Sequence, residues 1–122
     1  TNLVHRACPV KKDNTSLTGH SMGGAGTVIV GFENPDRFAA LAPIAGWYIN
    51  NYPEKAPNMP LLISAGELDS LVSVGDMRRF HQMSIDLEMP NVKYIEVEGA
   101  DHMSVVNHVL NRVFDWFDQH AR

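Results

Sequence analysis

The sequence predicts an α/β fold, with about four parallel strands and helices packed on their faces. Three observations predict it. Short apolar runs alternate along the chain with amphipathic stretches of helical period. The polar residues with catalytic chemistry fall directly after those apolar runs. A glycine-flanked serine sits where the first run passes into the first helix. The 122-residue chain is read as one domain, 1–122, long enough for a modest core.

Each element has its own signal. In residues 1–13, Leu3, Val4, Ala7 and Cys8 suggest a short helix stopped by Pro9. Thr15 to Thr18 is short and rich in β-branched residues, and predicts a buried strand ending at Gly19. Ala25, Ile29 and Phe32 then recur at helical spacing, and Gly23, Gly24, Ala25 and Gly26 keep that helix thin against a sheet. Phe38 to Ala45 is a second buried strand with Pro43 near its end, and 46–60 is a loop rich in Asn, Pro and Tyr. Leu61 to Ala65 is a third strand. Residues 74–88 place Val74, Met77, Phe80, Ser84 and Leu87 on one helical face, ending before Pro90. The run 92–97 alternates like a strand near a sheet edge, and 104–120 is a helix with Val106, Val109, Leu110, Val113 and Phe117 inward.

Composition narrows the functional classes. The formal charge is −4 with scattered basic residues, so neither nucleic acid nor an anionic membrane is expected as a partner. No apolar run has membrane-spanning length. Cys8 is the single cysteine, which precludes an intrachain disulfide and leaves the compartment open, a soluble cytoplasmic location being slightly favoured. No histidine and carboxylate pattern has metal-ligand spacing, so no metal and no cofactor are expected. The chain opens on Thr1 rather than methionine, as expected of one processed, trimmed or excised from something longer.

The chemistry centres on Gly19-His20-Ser21-Met22-Gly23. Glycines two residues either side of a serine suit a sharp strand-to-helix turn, where flanking side chains would clash and the hydroxyl stands at the tip. Asp69 follows the strand 61–65, and His102 follows the strand 92–97. In an open parallel sheet, functional residues gather beyond the carboxyl ends of the strands, so the three are expected at one edge. A serine hydroxyl needs a nearby base to become nucleophilic, and an imidazole needs a carboxylate to fix its tautomer. Ser21, His102 and Asp69 fill these roles, with Glu67 the more serious rival acid and Asp101 a lesser one. His20 is expected to point away from the nucleophile in a structural role. His5, His81, His108 and His120 are expected to be solvated or packed.

Leu17 to Gly24, followed by Asn34-Pro35-Asp36-Arg37-Phe38-Ala39-Ala40-Leu41 and onward to Trp47, resembles the α/β-hydrolase superfamily. The likeness lies with the branch containing feruloyl and acetyl esterases, polyhydroxyalkanoate depolymerases and prolyl-oligopeptidase-like hydrolases. It implies a serine hydrolase with Ser21 as nucleophile, Asp69 as acid and His102 as base, and with the backbone N–H of Met22 as one oxyanion donor. That family normally carries several strands before this serine, one loop of which supplies a second oxyanion donor. The chain therefore reads as a truncated α/β-hydrolase, corresponding to the C-terminal half.

Two functional readings follow. The first is an esterase cleaving short-chain carboxylic esters through an acyl-enzyme, with Trp47, Tyr48, Tyr52, Leu71 and Val72 lining its pocket. Esters are favoured over amides because their cleavage better tolerates an incomplete oxyanion hole. The alternative is a catalytically inactive hydrolase fragment serving as a binding or assembly module. Both leave the first strand as an open sheet edge, which predicts homo-oligomerisation through that surface.

Overall fold

The computed structural model describes residues 15–46 and 52–121. Four strands form one parallel sheet in the order β1-β2-β3-β4: β1 Ser16–His20, β2 Ala40–Ile44, β3 Leu61–Gly66 and β4 Val92–Val97. Among the described residues three α-helices connect or follow them: α1 Met22–Glu33, α2 Val74–Asp86 and α3 Val105–Gln119. The predicted α/β architecture is present, with β4 at a sheet edge.

Alternation along the strands sorts side chains into two cores. Leu41, Leu61, Ile63 and Ala65 face Val28 and Phe32 of α1 and Met77 and Phe80 of α2. Ala40, Ala42, Ile44, Leu62 and Ile95 face Val105, Val109, Val113 and Trp116 of α3. Each fully buried Phe, Leu or Val contributes roughly 1.5–3 kcal/mol. β2 and β3 are buried at every position because both of their faces are covered.

Pro43 sits in this central strand without a donor. Leu41 N and Ala45 N donate across to Pro60 O and Ser64 O, and the pairing of β2 with β3 skips the positions between. The ladder thus gives up one bond where proline could not have made it.

Three details differ from the sequence reading. β1 runs on through Gly19 and His20, which pair with Pro43 and Ile44. In α1 the buried face is Gly24, Thr27, Val28, Gly31 and Phe32, not Ala25 and Ile29. Its thinness comes from Gly24 and Gly31, where an added Cβ would strike Gly46 and the Leu41 side chain, while Gly23 and Gly26 have open space. In α3 the deepest stripe is Val105, Val109, Val113 and Trp116, with Val106 and Phe117 on its margin. α2 buries Met77, Phe80 and Ser84 as expected.

Candidate active site

Because all four strands are parallel, Ser21, Asp69 and His102 are delivered to one edge of the sheet. Ser21 lies between β1 and α1 at φ 61° and ψ −118°, a left-handed conformation that side chains rarely adopt. Strain of this kind costs about 1–3 kcal/mol and persists only where the surroundings over-determine it. Here Ser21 N donates to Ile44 O at 3.0 Å, and Ser21 O accepts from Gly24 N at 2.9 Å and Ala25 N at 3.1 Å. A Cβ on Gly19 would stand 2.2 Å from Gly23 O, so only glycine fits beneath the turn. The expected clash is therefore real at Gly19 and does not exist at Gly23.

Asp69 and His102 complete a chain of hydrogen bonds that ends at Ser21. Asp69 Oδ2 accepts from His102 Nδ1 at 2.7 Å. Asp69 Oδ1 accepts from Leu71 N at 2.8 Å and Val72 N at 2.7 Å, which fixes the plane of the carboxylate. A carboxylate only accepts, so Nδ1 carries the imidazole proton and Nε2 is left to accept from Ser21 Oγ at 2.9 Å. The Asp69 and His102 side chains are 1% and 8% exposed, so their bonds are shielded from water. A Cβ on Gly66 would meet Ala100 O at 2.7 Å, so the end of β3 and the histidine loop pack backbone to backbone.

Both rival carboxylates organise this loop instead. Glu67 Oε1 accepts from Gly99 N at 2.9 Å, where Gly99 turns with φ 77°. Asp101 Oδ1 accepts from Met103 N and Ser104 N, and Asp101 N donates back to Ser104 Oγ. Those donors, Ser104 foremost, hold the Asp101 carboxyl below the usual carboxylate range. The reciprocal pattern resembles a capping box immediately ahead of α3.

His20 does not point away from the site. Its Nε2 lies 2.6 Å from His102 O, and its ring packs 4.7 Å from the His102 ring. His81 stacks on Tyr94, and His120 packs against Trp116, burial pushing both imidazoles below their ordinary range. His108 is exposed. Among the described residues, no group of three or more His, Cys, Asp or Glu side chains is placed to hold a metal. No helix among them is long and apolar enough to cross a membrane.

The expected lining residues separate. Leu71 is exposed beside Asp69, while Val72 is buried in the first core and serves the site only through its N–H. Tyr52 packs on the first core and donates to Glu33 at the far end of α1, roughly 18 Å of helix from Ser21. Trp47 and Tyr48 lie outside the described residues. Met22 begins α1, where the first N–H groups have no intrahelical partner. Its side chain is exposed, as are Leu68 and Met103, and each adjoins a member of the hydrogen-bonded chain in sequence. Neither Leu68 nor Met103 stood out in the sequence, where its one signal is an apolar residue beside a polar one in a loop.

A four-stranded parallel sheet, a strained serine after β1, an aspartate after β3 and a histidine after β4 define an α/β hydrolase. Residues 5–117 match the PET hydrolase-like family, and the chain belongs to it. It is 30% identical over 96 residues to cutinase 2 of Thermobifida cellulosilytica, covering 78% of this chain and 35% of that one. With cutinase est2 of Thermobifida alba it shares 32% identity over 92 residues, covering 73% of this chain and 29% of the relative. The chain thus spans about a third of the length of the curated relatives it matches. Among solved structures, a thermostable esterase superposes with TM-score 0.84 at 25% identity, covering 99% of this chain and 35% of its own. Esterase PE8 shares the fold at TM-score 0.77 and 21% identity, covering 98% of this chain and 55% of its own.

Proposed function

We propose that this chain carries the reacting residues of a serine hydrolase that cleaves short-chain carboxylic esters through an acyl-enzyme. The observation that carries this reading is the unbroken relay from Ser21 Oγ through His102 to Asp69, at 2.9 Å and 2.7 Å. Ser21 Oγ attacks the ester carbonyl carbon while His102 Nε2 takes its proton. The carbonyl oxygen becomes an oxyanion, stabilised by the N–H of Met22 at the start of α1. Collapse breaks the bond to the alkoxy group, which leaves as the alcohol with the proton from Nε2, and the acyl group remains on Ser21. Water, deprotonated by the same imidazole, then attacks the acyl carbon; the bond to Ser21 Oγ breaks, Oγ takes back the proton from Nε2, and the acid is released. Asp69 holds the tautomer and stabilises the imidazolium without taking the proton.

The exposed side chains of Met22, Leu68, Leu71 and Met103 support an apolar acyl or alcohol group at this rim. The names of the relatives, cutinases and esterases, support an ester rather than an amide. We propose in addition that copies associate through β1, whose outer edge pairs with no strand among the described residues. A sedimentation profile showing only monomer at micromolar concentration contradicts that association.

The test is hydrolysis of p-nitrophenyl acetate and butyrate by the chain and its Ser21→Ala variant. The expected result is saturable turnover that falls by about six orders of magnitude, to background, in the variant. Equal background rates in both proteins favour the inactive binding or assembly module instead.

A further inference from the structure

We propose that His20 is a positioning residue for His102, pinning the base through its main-chain carbonyl; the inference rests on the ester-hydrolase reading above. His20 is the last residue of β1 and immediately precedes Ser21, so the strand that presents the nucleophile also reaches the base. Its Nε2 stands 2.6 Å from His102 O. A carbonyl oxygen can only accept, so His20 Nε2 carries a proton and donates it.

His102 needs such a tether. It lies in the turn between β4 and α3, outside both elements, so neither ladder nor helix bonds hold its carbonyl. Its side chain is fixed at two points, Nδ1 on Asp69 and Nε2 against Ser21. Those two contacts sit on opposite sides of the ring and leave one motion open, a tilt about the line joining them. The His20 ring, 4.7 Å away and inclined by 36°, covers one face of the imidazole and opposes that tilt. The hydrogen bond to the carbonyl stops the loop from carrying the ring away from Ser21. Main chain and ring of one residue are thus referenced to the strand that ends at the nucleophile.

A merely structural role and a positioning role make different demands on residue 20. Packing alone is satisfied by any flat ring, whereas positioning requires a donor at the place of Nε2. His20→Phe keeps the ring and removes the donor; His20→Gln keeps an amide N–H donor near the Nε2 position and removes the ring. The primary readout is steady-state hydrolysis of p-nitrophenyl acetate, with folding of each variant checked by urea denaturation. A second readout, independent of turnover, is the low-field proton resonance of His102 Nδ1–H, which reports the bond to Asp69.

The expected result is a fall in kcat of about 10- to 100-fold in His20→Phe with KM within about twofold, a loss typical of a misplaced group. The low-field resonance broadens or disappears in that variant. In His20→Gln both kcat and the resonance return most of the way to wild type. Wild-type kcat and an unchanged resonance in His20→Phe overturn the proposal. So does equal impairment of both variants, because the donor then makes no difference. A wild-type protein with neither turnover nor the resonance removes the ester-hydrolase reading and this inference with it. Turnover in the wild type with unaffected variants removes the inference alone.

Discussion

The turn after β1 and the loop after β4 perform the same task, presenting one side chain at the sheet edge, by opposite physical means. The serine turn is strained and sterically enforced: φ at Ser21 is 61°, and a Cβ on Gly19 would lie 2.2 Å from Gly23 O. Apart from the close approach of Gly66 to Ala100 O, the histidine loop is held by hydrogen bonds drawn mainly from elsewhere in the chain. Glu67 accepts from Gly99 N, Asp69 accepts from His102, and His20 donates to the His102 carbonyl. Close packing of backbone on backbone leaves no room for adjustment, whereas a hydrogen-bond network loses its members one at a time. The first should therefore fail abruptly under substitution and the second gradually.

Substitution in the serine turn gives the largest expected effect on stability. Gly19→Ala forces backbone apart and is expected to lower unfolding free energy by about 3 kcal/mol or more, measured by urea denaturation. Gly23→Ala is the control within the same motif, because nothing lies within 4 Å of the added Cβ. As a helical glycine it should be neutral or stabilising by about 0.5–1 kcal/mol. Comparable losses in the two variants would show that the turn is not sterically enforced in the way the contacts imply.

The histidine loop should respond less. Glu67→Ala removes the acceptor for Gly99 N at an exposed site and is expected to cost about 1 kcal/mol. Kinetically, kcat should fall more than stability requires, since the variant loosens the loop that carries His102. A loss as abrupt as that of Gly19→Ala would erase the contrast between the two regions.

The smallest effect is a pH dependence at Asp101. Its carboxyl is held below the ordinary range, so its ionised form favours the folded state. That stabilisation is complete above the ordinary carboxylate range and is lost as pH falls through the lowered folded value. Asp101→Asn keeps an oxygen acceptor for Met103 N and Ser104 N but does not titrate. Between pH 6 and pH 3 the wild type should therefore lose more of its urea midpoint than the variant does. Identical losses would remove Asp101 as a charge-dependent cap.

The same contrast governs what could be read in the sequence. The serine turn was legible because its determinants, Gly19 and Ser21, lie two residues apart in the chain. Asp69 and His102 were legible from their place after two strands, a consequence of parallel topology. α2 was legible because its apolar and charged faces contrast sharply. The buried face of α1 was not, because Val28, Ile29 and Val30 are apolar in succession and Gly24 and Gly31 carry no side chain to mark it. Val72 was misread because the chain turns at Asp69, and the turn sends its side chain into the core. The contact of His20 with His102 was hidden because the two lie 82 residues apart. Local geometry was visible in the sequence; contacts that close the histidine loop were not.

Reaction with an alkyl fluorophosphonate, followed by peptide mapping of the wild type and Asp69→Asn, tests most directly whether the relay in this chain is functional. The expected result is one phosphonate adduct on the peptide containing Ser21, formed far more slowly in Asp69→Asn. No adduct on Ser21, or equal labelling rates in the two proteins, would contradict an activated serine at this site.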